Sequence, residues 1–215
     1  HVLGRRSRRI INDASEEVAA TLNCHHHQIF WTGSGSEGNS WVLYSAIAKA
    51  RREHPERAPR ILISAIEHDS VKLASEYHAE QGVIVEEIPV TTNGEIDLAA
   101  LQNLLNKGPV DLVSVLYANN ETGVIQPVHE VASLCSSHNT LYHCDAVQVL
   151  GKLPIDAEKL KAAYLTFSAH KIGAPKGVGF VVVTAKGRLL EPLIHGKQQK
   201  SLRGGTENTL GIGIT

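Results

Sequence analysis

Seven short, nearly all-apolar segments alternate along the chain with segments of helical periodicity. The clearest apolar segments are RILISAI at 60–66 and DLVSVLY at 111–117. Strands that alternate with helices form βαβ units, because a parallel connection needs a crossover. Strands that lack polar alternation are typical of sheets covered on both faces. The pattern therefore predicts an α/β fold with a mainly parallel, seven-stranded sheet sandwiched by helices.

The predicted strands cover 28–32, 60–66, 83–88, 111–117, 140–144, 164–168 and 179–183. The predicted helices cover 10–22, 40–50, 70–81, 98–106 and 128–137. Sheets of this kind bind ligands at the carboxyl ends of their strands, so the residues that follow the strands are the candidate site.

Length, charge and cysteine content restrict the class of protein. A chain of 215 residues with 42% hydrophobic residues suits one sizeable domain with a core. The net charge of -1 gives no electrostatic reason to expect a nucleic acid or a membrane as a partner. Three cysteines are too few for a disulfide scaffold, so we expect a reducing compartment, the cytoplasm.

Two basic runs have a structural and a functional interpretation. His25-His26-His27 precedes the first predicted strand. Metal ligands usually come from spaced positions, so a polar turn is the favoured interpretation and a metal site the alternative. The arginine-rich run at 5–9 is interpreted as a solvated helix face, with a nuclear signal or phosphate contacts as alternatives.

A glycine-rich stretch, TGSGSEGN at 32–39, follows the first predicted strand and leads into a helix. Glycines allow a tight turn, and a helix N-terminus offers free N–H groups and a positive dipole end to an anion. Ser36 adds a hydroxyl group. The glycine spacing matches neither a Walker loop nor the dinucleotide fingerprint. The stretch predicts a phosphate-binding loop, although Ser and Gly also cap helices.

Polar residues follow other predicted strands as well. His68 follows the second strand, where a lone histidine is more often a cap or a core residue. Asn119 and Asn120 follow the fourth strand, and the same residues also form ordinary turns. Asp145 follows the fifth strand, where a carboxylate is costly unless it is paired, for example with a protonated pyridine nitrogen. We expect Lys171, which follows the sixth strand, to be buried and therefore an activated amine.

A phosphate loop, a ring contact, an amide donor, a carboxylate and a lysine together match what pyridoxal phosphate needs. The order of these motifs resembles the class V aminotransferase superfamily of fold-type I pyridoxal-phosphate enzymes. Within it the chain is most similar to cysteine desulfurases and selenocysteine lyases. The matching stretches are TGSGSEGN, SAIEHDSV, ANNETGVIQPV, YHCDAVQVLGKLPID, FSAHKIGAPKGVG and RGGTEN.

The resemblance implies two catalytic residues, Lys171 and His68. Lys171 would hold the cofactor as a Schiff base, and His68 would stack on the cofactor ring. Asp145 would keep the pyridine nitrogen protonated, so that the ring withdraws electrons from the substrate Cα.

The resemblance also implies residues that only bind the cofactor. Asn120 and Gln148 would contact the region of its phenolic oxygen. The phosphate would be bound by Ser36, Ser168 and His170.

Thr206, in RGGTEN, would reach the phosphate bound to a neighbouring subunit, which implies a homodimer. The family's phosphate loop usually reads closer to TSGATE, so Gly33 and Ser36 are departures, and Ser36 keeps the hydroxyl. Cys144 stands where many relatives have an aliphatic residue, and we interpret it as a small buried hydrophobic residue.

The implied activity is cleavage of the C–S or C–Se bond of L-cysteine or L-selenocysteine, which gives alanine. The sulfur or selenium would pass to an acceptor protein, for instance for iron–sulfur cluster assembly. The alternatives are another class V activity, such as a transaminase, and a non-catalytic fragment of the fold. In the family, the catalytic Cys loop, the substrate-binding Arg and the small domain lie outside the matched stretch. We therefore expect 1–215 to be an incomplete cofactor-binding large domain, and a mitochondrial location is the alternative to the cytoplasm.

Overall fold

The apolar segments form one seven-stranded sheet in the computed structural model, which describes residues 2–187 and 190–215. The strands are β1 (Ile29–Thr32), β2 (Arg60–Ser64), β3 (Ile84–Ile88), β4 (Leu112–Ser114), β5 (Leu141–Asp145), β6 (Tyr164–Ser168) and β7 (Gly179–Val183). The helices are α1 (Val2–Leu22), α2 (Gly35–Glu53), α3 (Asp69–Glu80), α4 (Leu98–Asn106), α5 (Val128–Ser137) and the one-turn helices α6 (Ala157–Leu160) and α7 (Thr209–Ile212).

The strand order is β1-β7-β6-β5-β4-β2-β3, and the neighbours from β3 to β6 are parallel. Only β7 runs in the opposite direction, antiparallel to both β6 and β1. Its connection to β6 is short and contains no crossover helix, so an antiparallel pairing is the one that this connection allows. The carboxyl ends of the other six strands lie at one edge, and the predicted fold class is confirmed.

Helices cover both faces of the sheet, so the core has two layers. One layer contains residues of α1, α4 and α5, and the other contains residues of α2 and α3. Every residue of β2, β6 and β7 is buried, which explains why these strands lack polar alternation. Among the described residues, no helix combines the length and the apolar character needed to cross a membrane.

A buried histidine links the middle strands. The imidazole of His143 lies between the hydroxyl groups of Ser114 and Thr166, at 2.9 Å from each. Burial lowers the pKa of His143 to about 3, so the ring is neutral at physiological pH. The side chain therefore holds β4, β5 and β6 together by hydrogen bonds, two residues before the end of β5.

The helix starts differ from the sequence prediction. α1 begins at Val2 instead of Ile10, and the four arginines at 5–9 are exposed, which confirms the solvated helix face. α2 begins at Gly35 instead of Ser40, because the hydroxyl of Ser34 caps the helix by accepting a bond from the N–H of Glu37 (3.1 Å). The first turn of α2 is rich in Gly and Ser and has no apolar periodicity, so apolar periodicity could not predict where this helix begins.

Candidate active site

A cleft opens at the edge of the sheet where β1, β2, β4, β5 and β6 end. It has a volume of about 190 Å³ and is partly open to solvent. Eight of the nine predicted site residues line this cleft: Ser36, His68, Asn120, Asp145, Gln148, Ser168, His170 and Lys171. The structure therefore brings together residues that are up to 135 positions apart (171 − 36) in the sequence.

Thr206 is the predicted site residue that does not line the cleft. It is exposed and lines a separate surface cavity together with Arg8 and Lys197. Its predicted role requires a second subunit, so that role stays a prediction.

The N-terminus of α2 forms one wall of the cleft. Its first N–H groups have no partner within the helix, so they can bind an anion. Gly35 permits the close packing of this wall, because a Cβ there would lie 2.8 Å from Val147 and 3.3 Å from Ser168. Ser36 is exposed in this first turn, where its hydroxyl can add to the anion site.

An ion pair fixes the loop before α2. The guanidinium of Arg203 binds both carboxylate oxygens of Glu37, at 2.8 and 3.2 Å. Glu37 in turn accepts a hydrogen bond from the N–H of Gly33 (2.8 Å). Arg203 belongs to the RGGTEN stretch, from which the sequence analysis selected only Thr206, so this contact was missed.

Asp145 ends β5 and is only 7% exposed. Its carboxylate accepts hydrogen bonds from the N–H of Val147 (3.0 Å) and the side-chain amide of Asn39 (2.7 Å). Burial raises the pKa of Asp145, whereas these two hydrogen bonds and the nearby His68 act against that rise. A carboxylate that is costly to bury and that faces a cleft is suited to pair with a cationic group of a ligand.

Asn39 holds Asp145 in place, and the sequence analysis gave it no role. Its amide donates to both Asp145 and the hydroxyl of Ser70 (2.9 Å), which links α2 to α3 across the cleft. Its Oδ1 atom is buried and has no hydrogen-bond partner among the described residues. Asn39 is the last residue of the predicted phosphate-binding stretch at 32–39, and this membership was the available signal.

Glu67 is a second buried carboxyl group near Asp145, and its burial was not predicted from the sequence. One oxygen accepts a hydrogen bond from the N–H of Leu116 (2.7 Å), while Oε2 has no partner among the described residues. Burial, and then the charge of Asp145, raise the pKa of Glu67 to about 8. Glu67 is therefore mostly protonated at neutral pH, so it adds no negative charge beside Asp145.

The structure is compatible with His68 as a helix cap and with His68 as a residue that contacts the cofactor. The exposed ring caps α3, because Nδ1 accepts a hydrogen bond from the N–H of Ser70 (3.1 Å). The same ring lines the cleft. This hydrogen bond places the proton of the neutral ring on Nε2.

The two asparagines after β4 have separate positions. Asn119 builds the turn, since its Oδ1 accepts from the N–H groups of Glu121 (3.0 Å) and Thr122 (2.9 Å). Asn120 is exposed and lines the cleft. Gln148 also lines the cleft, and its Oε1 accepts from the ammonium group of Lys152 (3.1 Å).

The expectation that Lys171 is buried is wrong. The side chain is exposed and lies on a single 3-10 turn, Ala169–Ile172, beyond the end of β6. The chain turns outward after the buried Ser168, so the amine reaches the mouth of the cleft instead of the sheet. His170 shares this turn, and its Nδ1 lies 2.9 Å from the Ser168 hydroxyl.

The cysteines do not line the cleft in the part of the chain that the structure describes. Cys144 is fully buried, which confirms its interpretation as a hydrophobic residue. Burial raises the pKa of the Cys24 thiol to about 11 and that of the Cys135 thiol to about 12. Neither thiol is therefore a thiolate nucleophile at physiological pH.

The donor set of the cleft fits pyridoxal phosphate. The N-terminus of α2 suits a phosphate group, the carboxylate of Asp145 suits a basic ring nitrogen, and the amine of Lys171 suits an aldehyde. Leu116 and Val147 supply apolar walls for a flat ring.

Curated proteins are similar in sequence to this chain over almost its whole length. Cysteine desulfurase IscS of Clostridium botulinum is 35% identical over 208 residues, which cover 96% of this chain and 51% of that protein. A cysteine desulfurase of Nostoc sp. is 35% identical over 212 residues, covering 99% and 52%. The chain spans about half the length of the curated relatives it matches.

Solved structures agree with the fold. A NifS-like protein superposes with a TM-score of 0.91 at 38% identity, covering 99% of this chain and 57% of that chain. SspA in complex with cysteine superposes with a TM-score of 0.89 at 29% identity, covering 99% and 60%. The family model for aminotransferase class-V matches residues 1–212. The chain therefore belongs to the aminotransferase class-V family.

Proposed function

We propose that the protein uses pyridoxal phosphate to cleave the C–S bond of L-cysteine, giving alanine and a sulfur atom for transfer to a thiol. The observation that carries the proposal is the convergence of Lys171, Asp145 and the N-terminus of α2 on one cleft. The similarity to relatives named cysteine desulfurase, and to SspA solved with cysteine, supports this choice of substrate.

When bound, the cofactor supplies an electron sink that stabilises negative charge at the substrate Cα. Asp145 maintains a proton on the ring nitrogen, because its desolvated carboxylate favours a cationic partner. The side-chain amide of Asn39 and the N–H of Val147 hold this carboxylate in place by donating hydrogen bonds to it. The neutral Glu67 prevents a second negative charge from competing for the same partner.

Lys171 would hold the cofactor through its side-chain amine, and the same amine can accept a proton from the substrate Cα. His68 would contact one face of the ligand and offer the N–H of Nε2 as a proton donor. Ser36, Ser168 and His170 would hold the phosphate group.

The partners follow from the same proposal. Thr206 reaches the cofactor phosphate in a neighbouring subunit of a homodimer. The thiol that accepts sulfur lies outside the described residues or on an acceptor protein, because none of the three cysteines is placed at the cleft. Selenocysteine is the closest alternative substrate, since none of the roles proposed for these residues distinguishes a C–Se bond from a C–S bond. We place this activity in the cytoplasm, and residues 1–215 in the cofactor-binding large domain.

The test is alanine formation by the full-length protein loaded with pyridoxal phosphate. We expect alanine from L-cysteine in the presence of a reducing thiol, and no alanine from the Lys171→Ala variant. L-selenocysteine in a parallel assay measures the selenium preference. Amino-group transfer from L-alanine to a 2-oxo acid, without alanine formation from cysteine, would establish the transaminase alternative. Cofactor binding without either reaction would establish a non-catalytic protein.

A further inference from the structure

Three consecutive histidines, His25 to His27, form a cluster that the proposed function does not use. They precede β1, whereas the cleft begins after Thr32, at the other end of that strand. The cluster is therefore separated from the cleft by the length of β1.

The backbone brings the three rings together. His26–Gln28 is a single 3-10 turn, closed by bonds between His25 and Gln28 in both directions: the N–H of Gln28 donates to the His25 carbonyl (2.8 Å), and the N–H of His25 donates to Oε1 of Gln28 (2.6 Å). As a result, the rings of His25 and His27 stack at 4.3 Å, and the ring of His26 stands edge-on to His27 at 4.6 Å.

The ring nitrogens converge as well. Nδ1 of His27 lies 3.3 Å from Nε2 of His26. One nitrogen from each of the three rings lies within 4.8 Å of the other two. Two ligands of one zinc ion are at most about 4.2 Å apart, which is twice the Zn–N bond length, and about 3.3 Å apart in a tetrahedral site. The His25 and His27 rings are stacked, so their nitrogen lone pairs must turn towards a shared ion, and the exposure of all three side chains leaves room for this reorientation.

We propose that His25, His26 and His27 bind a divalent transition-metal ion such as Zn²⁺ through their three imidazoles. Neutral imidazole is a preferred ligand of zinc, copper and nickel. Water would complete the coordination, because in the described structure no fourth His, Cys, Asp or Glu joins this cluster.

The surroundings of the cluster have opposite effects on this site. The rings of His25, His26 and His27 are exposed, so an ion can reach them from solvent. The ammonium group of Lys200, however, donates to the His27 carbonyl at 3.2 Å, and its charge repels a bound cation. We therefore expect a variant without the Lys200 charge to bind the metal ion more tightly.

The experiment is a calorimetric titration of the untagged, cofactor-loaded protein with ZnCl₂. We expect one ion per chain at this site. The His25→Ala/His26→Ala/His27→Ala variant should lose affinity by roughly tenfold or more, since it lacks all of the ligands. The matched control His54→Ala/His129→Ala/His195→Ala removes the same number of exposed histidines elsewhere and should bind like wild type. Lys200→Gln should bind more tightly than wild type.

Three results would overturn the proposal. The first is a wild-type protein that binds no zinc. The second is a triple variant at 25–27 that binds as well as wild type. The third is a control variant that loses as much affinity as the triple variant. Each result would mean that the three rings only stack and hydrogen-bond with one another. All substituted residues are exposed, so the unfolding temperature without metal should stay unchanged and serves as the check on folding.

Discussion

Asp145→Asn is expected to lower the rate of alanine formation by about 10²–10³-fold, the usual effect of removing one preorganised electrostatic group from an active site. Asparagine preserves the size of the side chain but carries no negative charge. It therefore cannot maintain a proton on the ring nitrogen of the ligand. The measurement is the rate with saturating L-cysteine and cofactor, compared with wild type and with Asp69→Asn, which removes an exposed carboxylate beside His68.

A second measurement separates this role from a structural one. Burial raises the pKa of Asp145, so its charge is a cost to the folded, cofactor-free protein. Asparagine has one oxygen for the two donors, so the relief of the buried charge is offset by one lost hydrogen bond, and the variant should stay within about 1.5 kcal/mol of the wild-type free energy of unfolding in urea at neutral pH. A variant that is both slow and strongly destabilised would indicate that Asp145 serves the fold, and a variant with the wild-type rate would contradict its role towards the cofactor.

Glu67→Gln is expected to remove a large pH dependence from the stability of the cofactor-free protein. Burial and the charge of Asp145 raise the pKa of Glu67 from 4.5 to about 8. The folded protein therefore retains a proton that the unfolded chain has lost, so the wild-type free energy of unfolding falls as the pH rises through this window. A shift of this size corresponds to a loss on the order of 4 kcal/mol between about pH 5 and about pH 9.

Glutamine keeps the acceptor for the N–H of Leu116 and has no charge to bury. The stability difference between the glutamine variant and wild type should therefore grow with pH and level off above about pH 8. Urea unfolding at several pH values measures it. Glu87→Gln, which removes the same charge from an exposed position on β3, is the control. Its free energy of unfolding should change with pH as that of wild type does. A constant difference across the pH range would contradict a buried, protonated Glu67.

The sequence predicted the sheet and the location of the site because both depend on simple periodic features. Buried strands are apolar throughout, and ligand residues follow strand ends, so Asp145 and Ser168 could be found without tertiary information. The exposure of Lys171 could not be found in this way, since it depends on the direction in which one turn leaves the sheet.

The missed residues share a physical reason. Asn39 lies inside a helix, and its side chain meets Asp145 only after α2 packs on the sheet. Glu67 is as polar as any loop residue, and its burial results from its contact with the segment that follows β4. The convergence of His25 to His27 likewise comes from a single 3-10 turn, which has no signal in the sequence.

The central claim is that Lys171 is the residue that bonds to pyridoxal phosphate in this cleft. Borohydride reduction of the cofactor-loaded protein, followed by proteolysis and peptide mass analysis, tests it most directly. The account predicts a phosphopyridoxyl group on Lys171, retained in a Lys176→Ala control and lost in Lys171→Ala. A group found on Lys152 or Lys176 in the wild-type protein, or no modified peptide at all, would contradict it.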